Sequence, residues 1–107
     1  MQPIFILDRL KVRPGALQTC RALFQERYLP GALERGMQLA GSWTTPPLEL
    51  PDSETELLLL WSLPALDAFW NMRGRASADP EVPAFWEDVD TLVSQRERSF
   101  LAAEDLA

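Results

Sequence analysis

Two apolar runs stand out in the pattern of hydrophobic and polar residues of this chain, and each run leads into a stretch with helical spacing. The first apolar run spans residues 4–12 and the second spans residues 57–61. A proline follows each run, Pro14 and Pro64, and the first turn of a helix tolerates proline because the N–H it lacks has no partner there. The pattern therefore predicts two strand-to-helix units, which is typical of a split βαβ arrangement.

The same spacing predicts four strands, at residues 3–12, 37–45, 54–62 and 95–102. It predicts three helices, at residues 15–35, 63–76 and 83–93. Pro30 and Gly31 predict a kink or a restart of the first helix, and Gly36 should end it. Residues 95–102 could also extend the last helix, but the fold needs a fourth strand to complete its sheet. We therefore predict one α+β domain over residues 1–107, a ferredoxin-like sandwich with a four-stranded antiparallel sheet and helices on one face.

Strict alternation along the strands predicts which side chains share a face. In the first strand Asp8 lies on the more apolar face, and Arg9 lies on the other. In the second strand Leu39 and Trp43 should share one face, with Ser42 on the opposite face. The third strand is apolar on both faces, which indicates that neither face is left in water.

The charge of the chain bears on its partners. The formal net charge is −6 and the isoelectric point is about 4.5, so the chain has the wrong sign for nonspecific binding to nucleic acid or to anionic membranes. No uncharged run approaches the roughly 20 residues of a transmembrane helix, and no signal peptide is visible. A single cysteine, Cys20, cannot form an intrachain disulfide, and its position on an apolar helix stripe predicts a buried thiol. These features favour a cytoplasmic protein.

Histidine is absent from the sequence. The chain therefore lacks the commonest general base, the commonest transition-metal ligand and the usual haem ligand. A Ser-His or Cys-His nucleophilic pair is excluded. We expect neither a metal site nor a cofactor.

Several short segments resemble the NIPSNAP family, a branch of the dimeric α/β-barrel superfamily, over about residues 4–101. They are, in order, Asp8-Arg9-Leu10-Lys11-Val12-Arg13-Pro14-Gly15, Tyr28-Leu29-Pro30, Gly36 with Gly41-Ser42-Trp43-Thr44-Thr45, Leu60-Trp61, and Asp79-Pro80 leading to Trp86. The resemblance implies a ferredoxin-like protomer whose sheet packs face to face with a second copy. It also implies a relationship to cofactor-free monooxygenases of antibiotic biosynthesis. The haem-degrading branch of the superfamily uses a histidine ligand, which this chain lacks.

Two residues are candidates for catalysis. Arg9 is a charged residue in an apolar strand, where it could hold an anionic substrate group; alternatively it forms an ion pair with Asp8, Glu56 or a partner chain. Tyr28 would orient or polarise a substrate together with Arg9. An aromatic set could enclose that substrate, or could instead form core and dimer interface: Trp43, Trp61, Trp70, Phe85 and Trp86.

A polar set at the end of the second helix is the last candidate. Asn71 and Arg73 could bind a carboxylate or phosphate at the rim of a pocket, or could simply complement the helix dipole. Two functions of different class follow from these residues. One is a small-molecule binding protein or cofactor-independent enzyme, an oxygenase or a cyclase/isomerase, acting on an aromatic or polyketide-like compound. The other is a non-catalytic homodimeric binding or assembly module.

Overall fold

The fold is built on one β-sheet. A computed structural model of the protein describes residues 2–106. The four strands of the sheet, antiparallel throughout and in the order β2-β3-β1-β4, are β1 at Ile4–Val12, β2 at Gln38–Thr45, β3 at Thr55–Leu63 and β4 at Val93–Ala102. This is the predicted ferredoxin-like sheet, and residues 95–102 do form its edge strand. The prediction of fold class is therefore confirmed.

The helical segments cover one face of this sheet. They are α1 at Leu17–Leu23, a π-helical turn at Phe24–Tyr28, α2 at Leu29–Glu34, α3 at Leu66–Ser77 and α4 at Glu81–Asp90. The predicted start of α3 at residue 63 was too early, because Leu63 still pairs with Ile4 as the last residue of β3. The predicted end of α4 at residue 93 was too late, because Val93 already pairs with Val12. No helix among residues 2–106 is long and apolar enough to cross a membrane.

A π-helical turn precedes the proline of the first helix, and the α-helix restarts beyond that turn as α2. Pro30 has no N–H, and its ring would collide with the carbonyl of residue 26 in a regular α-helix. The chain widens just before the proline, so that the N–H of Leu29 donates to the carbonyl of Phe24, five residues back. The helix then continues as α2 to Glu34.

Gly36 ends this helix as predicted. Its φ of +93° is left-handed, which favours glycine. The N–H of Met37 donates to the carbonyl of Ala32 at 2.9 Å, and the N–H of Gly36 donates to that of Leu33 at 3.1 Å. These two bonds form a Schellman motif and satisfy carbonyls that the helix end would leave unpaired.

A β-bulge at Ala40 changes the predicted faces of β2. Leu39 pairs with Trp61, and Ser42 pairs with Leu59, so both lie on the helix-facing side of the sheet. Trp43 pairs with Leu58 and lies on the other side. The prediction that Leu39 and Trp43 share a face was wrong, because one extra residue in a strand reverses the alternation beyond it.

The two faces of the sheet differ in burial. The helix-facing side holds the core, whose largest fully buried side chains include Trp61, Phe85, Ile6, Leu10, Met37 and Leu63. The opposite side, here called the open face, has no layer over it within the chain. Its apolar side chains are half-buried or exposed: Phe5, Leu7, Trp43, Leu58, Leu60 and Leu101.

Cys20 is fully buried in α1, as its position on the apolar stripe predicts. Burial raises the pKa of its thiol to about 11, because the thiolate would lose its hydration. We expect the folded protein to resist iodoacetamide at about pH 8, where the thiol stays protonated, and to react once unfolded in urea. Mass spectrometry measures the labelling, and stoichiometric modification of the folded chain within minutes would contradict this expectation.

Candidate functional site

Asp8 lies at the centre of a buried polar network on the helix-facing side. Its side chain occupies the β1 stripe between Ile6 and Leu10 and is 2% exposed. Arg98, its neighbour on β4, donates from Nε to Oδ1 at 2.7 Å and from Nη2 to Oδ2 at 2.9 Å. Trp61 on β3 donates from Nε1 to Oδ2 at 3.0 Å. Three donors from two flanking strands thus satisfy one carboxylate, which makes its burial tolerable.

Arg98 also forms a hydrogen bond with Tyr28. Its Nη2 donates to the Tyr28 Oη at 3.1 Å, which leaves the hydroxyl hydrogen of Tyr28 available to a further acceptor. Burial alone would lower the pKa of Arg98, but the hydrogen bond and charge of Asp8 outweigh that effect and raise it above its ordinary value. Arg98 is therefore a permanent cation, held in one orientation beside a tyrosine hydroxyl.

Trp86 on α4 covers the two arginines of β4. The guanidinium carbon of Arg98 lies 5.2 Å from the centroid of the Trp86 ring, and that of Arg96 lies 4.7 Å from it. Asp90 accepts from Arg96 at 2.6 Å, and this exposed pair lowers the pKa of Asp90. The indole is thus stacked among cations, an arrangement favoured by its electron-rich face.

A groove of about 630 Å³ opens over this network, between α3, α4 and β4. Its aromatic and cationic lining consists of Tyr28, Trp86, Phe100, Arg73, Arg96 and Arg98. Glu87 and Asp90 supply carboxylates on the α4 side. A smaller cavity of about 90 Å³, which shares Trp86, Arg96 and Arg98 with the groove, reaches Asp8. The site is therefore large enough for a multi-ring compound and has fixed donors at one wall.

The structure brings together only some of the predicted site residues. Tyr28, Trp61, Phe85 and Trp86 form one aromatic cluster, with Tyr28 at 5.4 Å from Trp61, 5.0 Å from Phe85 and 5.6 Å from Trp86 between ring centroids. Arg73 lines the groove. In this cluster Trp61 and Phe85 are core residues, and Tyr28 and Trp86 face the groove.

The other predicted site residues lie elsewhere. Arg9 and Trp43 are on the open face, so Arg9 cannot act on a substrate in the groove with Tyr28. The alternative of an Arg9–Asp8 ion pair was wrong, because adjacent strand residues point to opposite faces and Asp8 pairs with Arg98. Trp70 is 61% exposed on α3 and packs edge-on against Phe69, and Asn71 beside it is exposed.

Asp8 and Arg98 are the functional candidates that sequence reasoning missed. Asp8 could have been identified from the sequence, since a carboxylate on an otherwise apolar strand face requires a buried partner. Arg98 was harder to identify, because the sequence left open whether its segment is a strand or a helix. Their pairing depends on the β1–β4 register, which joins residues 90 positions apart.

Arg35, near the same cluster, is buried without full hydrogen bonding. It is 6% exposed, and within the described chain its Nε and Nη2 have no hydrogen-bond partner. Its guanidinium lies 5.5 Å from the centroid of the Tyr28 ring, and Nη1 is 3.9 Å from the Asp79 carboxylate. These contacts only partly compensate for two desolvated donors, each of which costs about 1–3 kcal/mol.

Replacing Arg35 with methionine should therefore raise the free energy of unfolding by about 1 kcal/mol, since an apolar chain of similar length fills the site without unpaired donors. Urea denaturation followed by circular dichroism measures the change. Arg27→Met, at a half-buried arginine that pairs with Glu81 and Asp88, is the control and should give no increase. A loss of more than about 1 kcal/mol in Arg35→Met would contradict the prediction.

Among residues 2–106 no group of three or more His, Cys, Asp or Glu side chains is arranged to hold a metal ion. The chemistry that the site can perform rests on its fixed hydrogen-bond donors. Arg98 and Tyr28 can bind and stabilise an oxygen that carries negative charge. The stacked indole of Trp86 can bind a flat apolar body.

Solved structures similar to this one share its fold. A NIPSNAP family protein from Agrobacterium tumefaciens is 23% identical with a TM-score of 0.72, over 98% of this chain and 89% of that one. An uncharacterized NIPSNAP domain protein from Burkholderia xenovorans is 18% identical with a TM-score of 0.74, over 97% of each chain. SnoaB, a cofactor-independent oxygenase from Streptomyces nogalater, is 18% identical with a TM-score of 0.64, over 98% and 96%.

Sequence comparison identifies the family. No curated protein matches this sequence. The sequence model of the NIPSNAP family matches residues 6–106. That range contains the whole helix-facing network, from Asp8 to Arg98, and nearly all of the sheet. Because the match spans almost the entire chain, the protein belongs to the NIPSNAP family.

Proposed function

We propose that the protein binds an aromatic or polyketide-like compound in the groove over Arg98 and converts it without a cofactor. One observation carries the proposal: Asp8 fixes the Arg98 guanidinium at the wall of an aromatic groove, and Arg98 in turn donates a hydrogen bond to the Tyr28 hydroxyl. The groove has the size and the mixture of apolar surface and few polar groups that small-molecule sites share.

The chemistry of the groove favours a flat substrate with a polar oxygen. A ring can stack on Trp86 or against Phe100, both of which line the groove. A carbonyl or phenolic oxygen of the same compound can accept hydrogen bonds from Tyr28 or Arg98. Because Arg98 is a permanent cation, this contact strengthens as the oxygen gains negative charge, which favours an enolate or phenolate over the neutral compound.

Two reaction types fit such an anion, and neither needs a histidine. In an oxygenase, the substrate anion supplies the electrons and O₂ accepts them, so that an activated methylene and O₂ give a carbonyl and water. In a cyclase or isomerase, the same anion attacks or is reprotonated within the molecule. The structural similarity to SnoaB supports the first type. The single reduced cysteine is consistent with action in the cytoplasm.

The alternative is a non-catalytic homodimeric module, and the open face favours it. Six apolar side chains there have no cover within the chain, and a second copy would bury them. In this alternative the groove stays empty in the cell and its aromatic walls serve stability alone. Dimerisation is part of both proposals. The groove and the open face are on opposite sides of the sheet, so a dimer formed through the open face leaves the groove accessible.

Binding of a panel of hydroxylated anthraquinones and anthrones, measured by calorimetry, tests the proposal. We expect one site per chain, about 10-fold weaker binding in Tyr28→Phe because one hydrogen bond is lost, and a larger loss in Trp86→Ala. Trp70→Ala, at an exposed tryptophan outside the groove, is the matched control and should bind normally. Absence of binding across the panel, or equal losses in Trp70→Ala and Trp86→Ala, would favour the assembly module.

A further inference from the structure

A second cavity lies on the helix-facing side, between the π-helical turn and strands β2 and β3. Its volume is about 190 Å³. Its apolar walls are Phe24, Leu29, Leu39, Leu57, Leu59 and Trp61, and its polar lining is Arg21, Gln25 and Ser42. It shares none of these lining residues with the groove over Arg98. We refer to it as the π-turn cavity.

Two backbone irregularities build the walls of the π-turn cavity. The π-helical turn supplies Phe24 and Gln25. The β-bulge at Ala40 turns both Leu39 and Ser42 toward the helices, whereas regular alternation would send one of them to the open face. Irregularities of both kinds are concentrated at functional sites, and here they line the same cavity.

Arg21 is the charged residue that lines this cavity. Among the described arginines, Arg27, Arg35, Arg96 and Arg98 form ion pairs with Asp or Glu side chains, whereas Arg21, like Arg9 and Arg13, forms none. Within the described part of the chain Arg21 forms neither an ion pair nor a side-chain hydrogen bond. The cavity therefore has a guanidinium without an ion-pair partner in its lining, and the other polar residues of that lining are Gln25 and Ser42.

We propose that the π-turn cavity binds a small aromatic carboxylate, with its ring against Phe24, Leu59 and Trp61 and its carboxylate on Arg21. The volume suits a single ring, since an engineered cavity of about 150 Å³ binds benzene. The forked guanidinium matches a carboxylate in shape and charge, and Gln25 and Ser42 can donate further hydrogen bonds. This site is separate from the groove and does not depend on the function proposed for it.

Titration of the ¹⁵N-labelled protein with phenylacetate tests this proposal. Saturable shifts are expected at the backbone amides of residues 21–29 and 39–42, and not at those of α4. Phenylacetamide, which has the same shape without the charge, should bind about 10-fold more weakly or worse, because a charge-assisted hydrogen bond is lost. Shifts confined to the groove, or equal affinity for the acid and the amide, would overturn the proposal.

Three variants complete the test. Arg21→Gln should weaken phenylacetate binding about 10-fold, and Ser42→Phe should abolish it by filling the mouth of the cavity with a ring that an edge strand tolerates. Arg13→Gln removes an exposed arginine outside the cavity and should bind like the unmodified protein. The dispersion of each ¹⁵N spectrum verifies folding. Unchanged binding in a folded Ser42→Phe or Arg21→Gln variant would overturn the assignment of the site.

Discussion

Replacing Asp8 with alanine is expected to lower the free energy of unfolding by about 3–5 kcal/mol. The substitution leaves the Arg98 guanidinium charged and partly buried without its bidentate partner, and it leaves the Trp61 Nε1–H without an acceptor. A charge that loses its only carboxylate in a low-dielectric site is strongly destabilising, whereas the intact pair contributes much less. Urea denaturation monitored by circular dichroism measures the loss.

Two further variants identify the unpaired charge as the cause. In the double variant Asp8→Ala with Arg98→Met, the buried cation is gone, and we expect part of the lost stability to return. Asp90→Ala, at the exposed pair with Arg96, should cost less than about 1 kcal/mol because solvent screens it. If Asp8→Ala lowered the free energy of unfolding as little as Asp90→Ala, the buried Asp8 network would not be what stabilises the site.

If the protein forms the proposed face-to-face homodimer, replacing Leu60 with arginine is expected to convert it into a monomer. Leu60 is at the middle of the open face, where it pairs with Leu7 across β1 and with Gly41 across β2. The Trp43 ring lies against Gly41 on the same face, so the patch is continuous. A charge at its centre would have to be desolvated in each half of a face-to-face dimer, and two like charges would meet there.

Light scattering coupled to size-exclusion chromatography measures this effect at micromolar concentration. The matched control is Leu66→Arg, which places the same charge on α3 at an apolar residue that is 56% exposed away from the open face. The control should remain dimeric. A monomeric unmodified protein, or a dimeric Leu60→Arg variant, would show that the open face is not the dimer interface.

Most of the strands and helices could be predicted from the local pattern of apolar and polar residues, whereas the fourth strand was inferred from the topology of the fold. The two details that build the sites could not be predicted. The bulge at Ala40 leaves no mark in the alternation of β2, and from the sequence Pro30 predicts only that the helix is kinked or restarted, not that a π-helical turn forms there. Both features depend on how these segments pack against residues that are distant in the sequence.

Some residues of the candidate site could be predicted from the sequence, and others depend on the tertiary structure. Tyr28 and Trp86 could be identified as members of an aromatic set that could enclose a substrate, and Arg73 as part of a polar set at the end of the second helix. Arg9 was placed in the same site as Tyr28, although the period of two in β1 already assigned it to the opposite face from Asp8. Asp8 itself was visible as a carboxylate among buried positions, but its partner required the register between the first and last strands.

Native mass spectrometry of the protein incubated with a hydroxylated anthraquinone tests whether the groove is a substrate site, because it reports subunit number and bound compound together. We expect a dimer that retains two molecules of the compound, and a dimer that retains none when Trp86 is replaced by alanine. A protein that retains no compound at concentrations where serum albumin does, or a Trp86→Ala variant that retains as much as the unmodified protein, would contradict a substrate site in the groove.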